Sequence, residues 1–191
     1  MTRRLLFVQG GGGENAHDEW DIKLVESLER ELGPDYEISY PRMPDENSPK
    51  FARWKAALRK ELQKLDDGAI LVGHSIGATI LVHTLAEKPP KPAPAGVFLV
   101  SMPYIGNEGW QSDDIKPEPN LGEKLPAQTH VYIYQGSADE TVPPEHAELN
   151  GKAIPQASVR RLSGRDHQLD NNMTEVAADI RELSRRNPLR D

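Results

Sequence analysis

An α/β architecture, with a mostly parallel central sheet covered by helices on both faces, is predicted by three observations. Short continuous apolar runs recur along the chain, and segments with apolar residues at helical spacing separate them. Residues suited to chemistry fall just after the apolar runs. Strands buried on both faces lose the alternation of half-exposed strands, and parallel neighbours need the crossovers that the helices supply. In such sheets ligand chemistry gathers at the carboxyl ends of the strands.

Arg3 to Val8 reads as a buried strand running into Gln9 and the glycines Gly10 to Gly13. Trp20, Leu24, Leu28 and Leu32 then recur at helical spacing, with Gly33-Pro34 as the stop, and Trp20 is expected to pack under this helix. Tyr36 to Tyr40 is a short strand closed by Pro41 and Pro44. Ser48-Pro49 opens a second helix, in which Phe51, Trp54, Leu58, Leu62 and Leu65 keep the period until Asp66-Asp67-Gly68. The apolar run Ala69-Ile70-Leu71-Val72 is the next strand, and Ala78 to Ala86 the next helix. Pro89, Pro90, Pro92 and Pro94 force an extended connection, after which Gly96 to Val100 resumes the strand pattern.

Residues 101–127 are irregular, with Pro103, Pro117, Pro119 and Pro126 scattered through them. Their apolar residues suit either a short flap or a cover for the edge of the core. His130 to Tyr134 is a further strand, Pro143 to Lys152 a helix, Ser158 to Leu162 a last strand, and Met173 to Leu183 a final amphipathic helix. No internal repeat appears, and residues 1–191 read as a single domain.

Composition narrows the function classes. Charged residues make up 28% and the net charge is −7, a balance that argues against nucleic-acid binding and against a membrane-surface role. Arginines cluster at Arg160-Arg161, at Arg165 and from Arg181 to Arg190, where a solvated helix face is the expectation. The absence of cysteine excludes disulfides, thiolate chemistry and cysteine-type zinc sites. Leu5 to Val8 is too short for a signal-peptide core, and no later segment approaches a membrane span. The expectation is a soluble cytoplasmic protein, monomeric or a small homo-oligomer, with a small acyl compound as its partner.

The most informative stretch is Gly73-His74-Ser75-Ile76-Gly77, which matches Gly-x-Ser-x-Gly between a strand and a helix. In that context the pattern describes a nucleophile elbow, a strained turn that lifts the serine hydroxyl above the sheet. Side chains two residues to either side of Ser75 would clash with the closely flanking backbone, so glycine suits both places.

A serine nucleophile needs a base and a group that orients the base, here in the chain order serine, acid, histidine. Of the six histidines, His167 alone follows a late strand, in the loop Ser163 to His167. Asp139 lies in the loop after the His130 strand, where a carboxylate can accept the imidazole Nδ1–H. Glu140 is its neighbouring rival, while Asp166 and Asp170 are local to His167. Aspartate in such a loop equally organises turns.

An oxyanion needs backbone donors, expected from Ile76 and from the glycine loop through Gly11 or Gly12. The same glycines superficially suggest a phosphate loop, but the Lys-Ser/Thr of a P-loop is missing. Tyr40-Pro41 also stands where a ribose-binding acid belongs in a dinucleotide site. His17, Tyr104 and Trp110 are candidate pocket residues. No metal and no cofactor are called for.

Together these segments resemble the α/β-hydrolase fold over nearly the whole chain. More narrowly, Gln9 to Gly13, His17 with Trp20, Met43-Pro44 and the elbow resemble the small serine hydrolases related to retinoblastoma-binding protein nine. The resemblance implies a compact fold with only a short cap segment, a Ser75, Asp139 and His167 triad, and hydrolysis of a small ester, thioester or amide. That family usually places histidine or asparagine where Gln9 stands here. The competing class is a binding or regulatory protein that keeps the fold without turnover.

Overall fold

The computed structural model describes residues 2–188. Arg190, in the terminal arginine cluster, lies outside them. Six strands form one sheet: β1 (Arg3–Val8), β2 (Tyr36–Ser39), β3 (Ile70–His74), β4 (Gly96–Val100), β5 (His130–Gly136) and β6 (Ser158–Leu162). The spatial order is β2-β1-β3-β4-β5-β6, and every neighbouring pair is parallel. Five α-helices connect them: α1 (Ile22–Leu32), α2 (Phe51–Leu62), α3 (Ser75–Glu87), α4 (His146–Ala153) and α5 (Thr174–Arg186).

Alternate residues of the central strands feed two separate cores. Leu6, Val8, Leu71, Val97, Leu99, Val131 and Ile133 face α2, α3 and α4, where Trp54, Leu58, Ile80 and Leu81 pack on them. Leu5, Phe7, Ile70, Val72, Phe98, Val100, Tyr132 and Tyr134 face α1 and α5, represented by Leu24, Leu28, Val176 and Ile180. Both faces are therefore apolar, which is why the strand segments read as continuous hydrophobic runs. Each fully buried Leu, Val or Phe contributes about 1.5–3 kcal/mol.

Residues 101–127 belong to the first of these cores. Met102, Ile105, Ile115, Leu121 and Leu125 are buried in it, so this segment covers part of that core beside α3. Only a short 3₁₀ turn, Leu121–Lys124, is regular there.

The edge strands behave differently from the central ones. Most of β6 is solvent-exposed, and its Arg160 and Arg161 pair with Asp179 at 3.1 Å and Glu148 at 2.5 Å. Charges on an edge strand discourage pairing with another sheet. Arg165 pairs with Glu175 and Arg186 with Glu182, so these members of the arginine clusters are matched by local acids.

Two expectations are corrected. Trp20 does not pack under α1: it is 51% exposed, with the Lys23 ammonium 5.2 Å from its ring centroid. The chain enters α1 through a wide π-helical turn, Ala16–Asp21, which shifts Trp20 off the apolar stripe and buries Asp21 instead. The helix after β5 also starts later than expected, at His146, because Pro143-Pro144 holds the preceding turn.

The register aligns the strand ends. Val8 pairs with Gly73, His74 with Val100, Val100 with Tyr134, and Gly136 with Leu162. The loops after β1, β3, β4, β5 and β6 consequently emerge along one edge. No helix among the described residues is long and apolar enough to cross a membrane.

Candidate active site

Strand β3 ends at His74 and α3 begins immediately at Ser75, which adopts a left-handed φ of 51°. A non-glycine residue in that region is strained and persists only where its surroundings fix it. The flanking glycines show what fixes it. A Cβ at Gly73 would lie 2.6 Å from the Ala78 Cα, and one at Gly77 only 1.9 Å from the Gln9 carbonyl oxygen. Strand β1 and helix α3 therefore approach too closely for any side chain at Gly77.

Ser75 is 6% exposed, at the edge where the loops meet. The His167 Nε2 lies 3.0 Å from the Ser75 Oγ, and the His167 Nδ1 lies 2.9 Å from the Asp139 Oδ2. With Nδ1–H donating to the carboxylate, Nε2 presents its lone pair to the serine hydroxyl. That is the geometry for removing a proton from Ser75.

Asp139 is completely buried as a side chain. Its Oδ2 also accepts from the Gln135 Nε2 at 2.8 Å, and its Oδ1 accepts the Thr141 and Val142 N–H groups at 2.9 and 2.8 Å. Burial pushes this carboxyl upward, but the His167 bond and the two amides outweigh it and hold the group below the usual carboxylate range. The same aspartate both organises its turn and meets His167. The rivals stand apart: Glu140 is exposed, as are Asp166 and Asp170, and the Asp166 Oδ1 accepts the Asp170 N–H.

The glycine loop divides its amides. Gly10 N–H donates to the Asp21 Oδ2 at 2.6 Å, and Gly12 N–H donates to the Glu46 carbonyl at 2.8 Å. Gly12 is thus corrected as a candidate donor, because its N–H is already engaged with the loop after β2. Gly11 lies between the two, packed so that a Cβ would come within 2.6 Å of Pro49. Gln9 anchors the loop: its amide donates to the Glu46 Oε2 at 2.7 Å and accepts the Met43 N–H at 2.8 Å. Ile76, in the first turn of α3, has an N–H that helix geometry leaves without an intrahelical acceptor.

The three candidate pocket residues separate. His17 stacks on Tyr40 with ring centroids 4.0 Å apart, and its Nδ1 meets Asp18 at 2.7 Å, so it braces the loop after β2. Tyr104 and Trp110 instead gather around His146. Tyr104 N–H donates to the His146 Nδ1 at 2.8 Å, and the Trp110 ring meets that imidazole edge-on at 6.1 Å. By strand order, His17 lies on the β2 side of Ser75 and the other two on the β4 side.

A cleft of about 750 Å³ between the loops after β1 and β2 is lined by residues that include Glu14, Arg42, Glu46, Lys50 and Arg53, and by none of Ser75, Asp139 and His167. Sequence reasoning also missed Asp21 and Gln168. Asp21 reads locally as an ordinary polar residue before a helix, and only its burial among distant partners distinguishes it.

The model of a family described as serine hydrolase matches residues 11–170, a span containing Ser75, Asp139 and His167. No curated protein matches the chain by sequence. Among solved structures, the ydeN gene product of B. subtilis is similar at 18% identity and a TM-score of 0.75, over 95% of this chain and 98% of that one. An α/β serine hydrolase without lid from Xanthomonas campestris matches at 18% identity and a TM-score of 0.67, over 100% and 86%. An esterase domain from a Rhodothermus marinus protein matches at 17% identity and a TM-score of 0.65, over 96% and 87%. At these identities the likeness is one of fold.

Proposed function

The chain belongs to the serine hydrolase family, and from that membership we propose that it cleaves a small ester, thioester or amide through an acyl-enzyme on Ser75. The observation that carries this reading is the continuous hydrogen-bonded chain from Ser75 Oγ through His167 to Asp139, at 3.0 and 2.9 Å. His167 takes the serine proton as Oγ attacks the carbonyl carbon, and Asp139 stabilises the imidazolium that forms. The N–H groups of Ile76 and Gly11 receive the oxyanion. His167 then protonates the leaving group, and water releases the acyl group with the roles reversed.

Small substrates are favoured by the packing of the segment after β4. Residues 101–127 pack into the core rather than enclosing a long chain. The esterase domain among the structural neighbours makes esters the first compounds to assay.

The test is a panel of p-nitrophenyl esters of increasing chain length together with a fluorophosphonate probe. Wild type is expected to label and to turn over the short esters best, while Ser75→Ala and His167→Ala lose both. Retained labelling in Ser75→Ala would overturn the assignment, and no labelling of wild type would favour a binding protein.

A further inference from the structure

One buried charged pair stands behind the proposed site and takes no part in the steps above. The side chains of Asp21 and His74 are each only 2% exposed. The His74 Nδ1 lies 2.9 and 3.0 Å from the two Asp21 carboxylate oxygens. Its Nε2 lies 3.0 Å from the main-chain carbonyl oxygen of His167. That carbonyl also accepts the Ser101 hydroxyl at 2.9 Å.

The hydrogen-bond partners and the surrounding charges together favour an ion pair. A carbonyl oxygen only accepts, so Nε2 must carry a hydrogen. Both Asp21 oxygens already accept other donors, the Gly10 N–H at 2.6 Å and the Gln168 amide at 3.2 Å. A carboxylate that accepts these two donors also accepts a hydrogen from Nδ1, the arrangement of an imidazolium facing a carboxylate. The charged and titratable groups around His74 are Asp21, Asp139 and the His167 ring, whose centroid is 4.9 Å away. Burial pulls His74 toward neutrality, yet the Asp21 charge and the hydrogen bonds hold it above the ordinary histidine range. Burial likewise pushes Asp21 upward, and His74 with the Gly10 amide reverses that.

We infer that Asp21, paired with a protonated His74, is a positioning residue that holds the glycine loop, the nucleophile turn and the His167 main chain in mutual register. Each arm of the network reaches a different part of the machinery. Gly10 precedes the proposed oxyanion donor Gly11, His74 precedes Ser75, and the carbonyl that His74 grips belongs to the proposed base. Gln168 adds a second tie to the base loop. Breaking a buried pair by neutralising one member leaves the other uncompensated, so the three segments lose a common anchor together. The inference rests on the hydrolytic reading of Ser75.

Asp21→Asn keeps the shape and an oxygen for Gly10 N–H while removing the charge. It is expected to lower kcat for a short p-nitrophenyl ester by roughly 10²-fold, the scale of a small misplacement of catalytic groups, with KM nearly unchanged. In ¹⁵N NMR of the imidazoles, wild-type His74 is expected to keep both ring nitrogens protonated as the pH rises past the ordinary histidine titration. In Asp21→Asn it is expected to show one. An unchanged kcat in folded Asp21→Asn, or a singly protonated His74 in wild type, would overturn the inference. Should Asp21→Asn fail to fold, the wild-type spectrum decides alone. Turnover surviving in Ser75→Ala would sink the hydrolytic reading, whereas active wild type with an indifferent Asp21→Asn would sink only the positioning role.

Discussion

At the carboxyl ends of the strands the chain buries Asp21, His74, Ser75 and Asp139 and half-buries His167, while the amino ends carry Arg3 and Thr129. The amino-end groups are satisfied simply. The Arg3 guanidinium donates to the carbonyls of Gly68 and Asn187 at 2.8 and 2.5 Å, and the Thr129 hydroxyl donates to that of Pro94 at 2.8 Å. At the carboxyl end, charges face one another instead.

Backbone strain follows the same division. Among the described residues, the non-glycine positions with left-handed φ are Asn15, Asp45, Ser75, Ser101, Leu169, Asp170 and Asn171. All of them lie in segments that follow a strand or in the first residue after one. Such conformations cost of order 1–3 kcal/mol each and survive where the surroundings over-determine them. The sheet with its two apolar cores supplies that rigidity, so one end stabilises the fold and the other holds a strained, charged arrangement.

Substitutions at the two ends should therefore separate activity from stability. Asp139→Asn is expected to reduce kcat by up to roughly 10⁴-fold by disturbing the His167 tautomer, in a protein that still folds. A Glu140→Gln variant with that loss instead would move the acid to Glu140. Gly77→Ala is the exception at this end, because it tests the packing of the turn rather than its chemistry: a methyl group 1.9 Å from the Gln9 carbonyl should cost on the order of 4 kcal/mol or more. Thermal or denaturant unfolding measures that cost, and a near-normal Tm would refute the close approach of β1 and α3.

At the opposite end the signature reverses. Arg3→Ala should lower stability by about 1.5–3 kcal/mol through its lost charge-assisted bonds, with kcat unchanged. An activity loss in a variant that remains folded at the assay temperature would blur the division. His83, away from both ends on α3, sets the baseline. Burial pushes its imidazole down to about 4 from 6.5. Between those values the unfolded chain binds the proton more readily, so stability falls as pH drops from 6.5 through about 4. The loss should be on the order of 1–3 kcal/mol. His83→Gln should flatten stability measured by denaturant titration across that window.

Much of the sheet was legible because burial on both faces leaves a local mark. The strands Arg3–Val8, Gly96–Val100 and Ser158–Leu162 have the bounds their apolar or punctuated sequences suggested. The elbow was legible through its fixed strand–turn–helix pattern, although only Gly73 is demanded by a sequence neighbour, Ala78, while Gly77 is demanded by the distant Gln9 carbonyl. Trp20 was misread because a π-helical turn breaks the spacing that its position seemed to continue. Gly12 was misjudged because its amide partner, the Glu46 carbonyl, belongs to another loop.

By itself, then, the sequence determined the α/β class, the strand and helix order, and the candidacy of Ser75, His167 and Asp139. Periodicity, glycine placement and chain order are local or ordinal properties that a linear string carries. Only the tertiary structure decided which amides and charges meet. Asp21 reaches His74 across 53 positions and Gln168 across 147. Whether a carboxylate is a surface charge or a buried anchor depends on partners brought to it by the parallel register, and no local pattern around Asp21 encodes them.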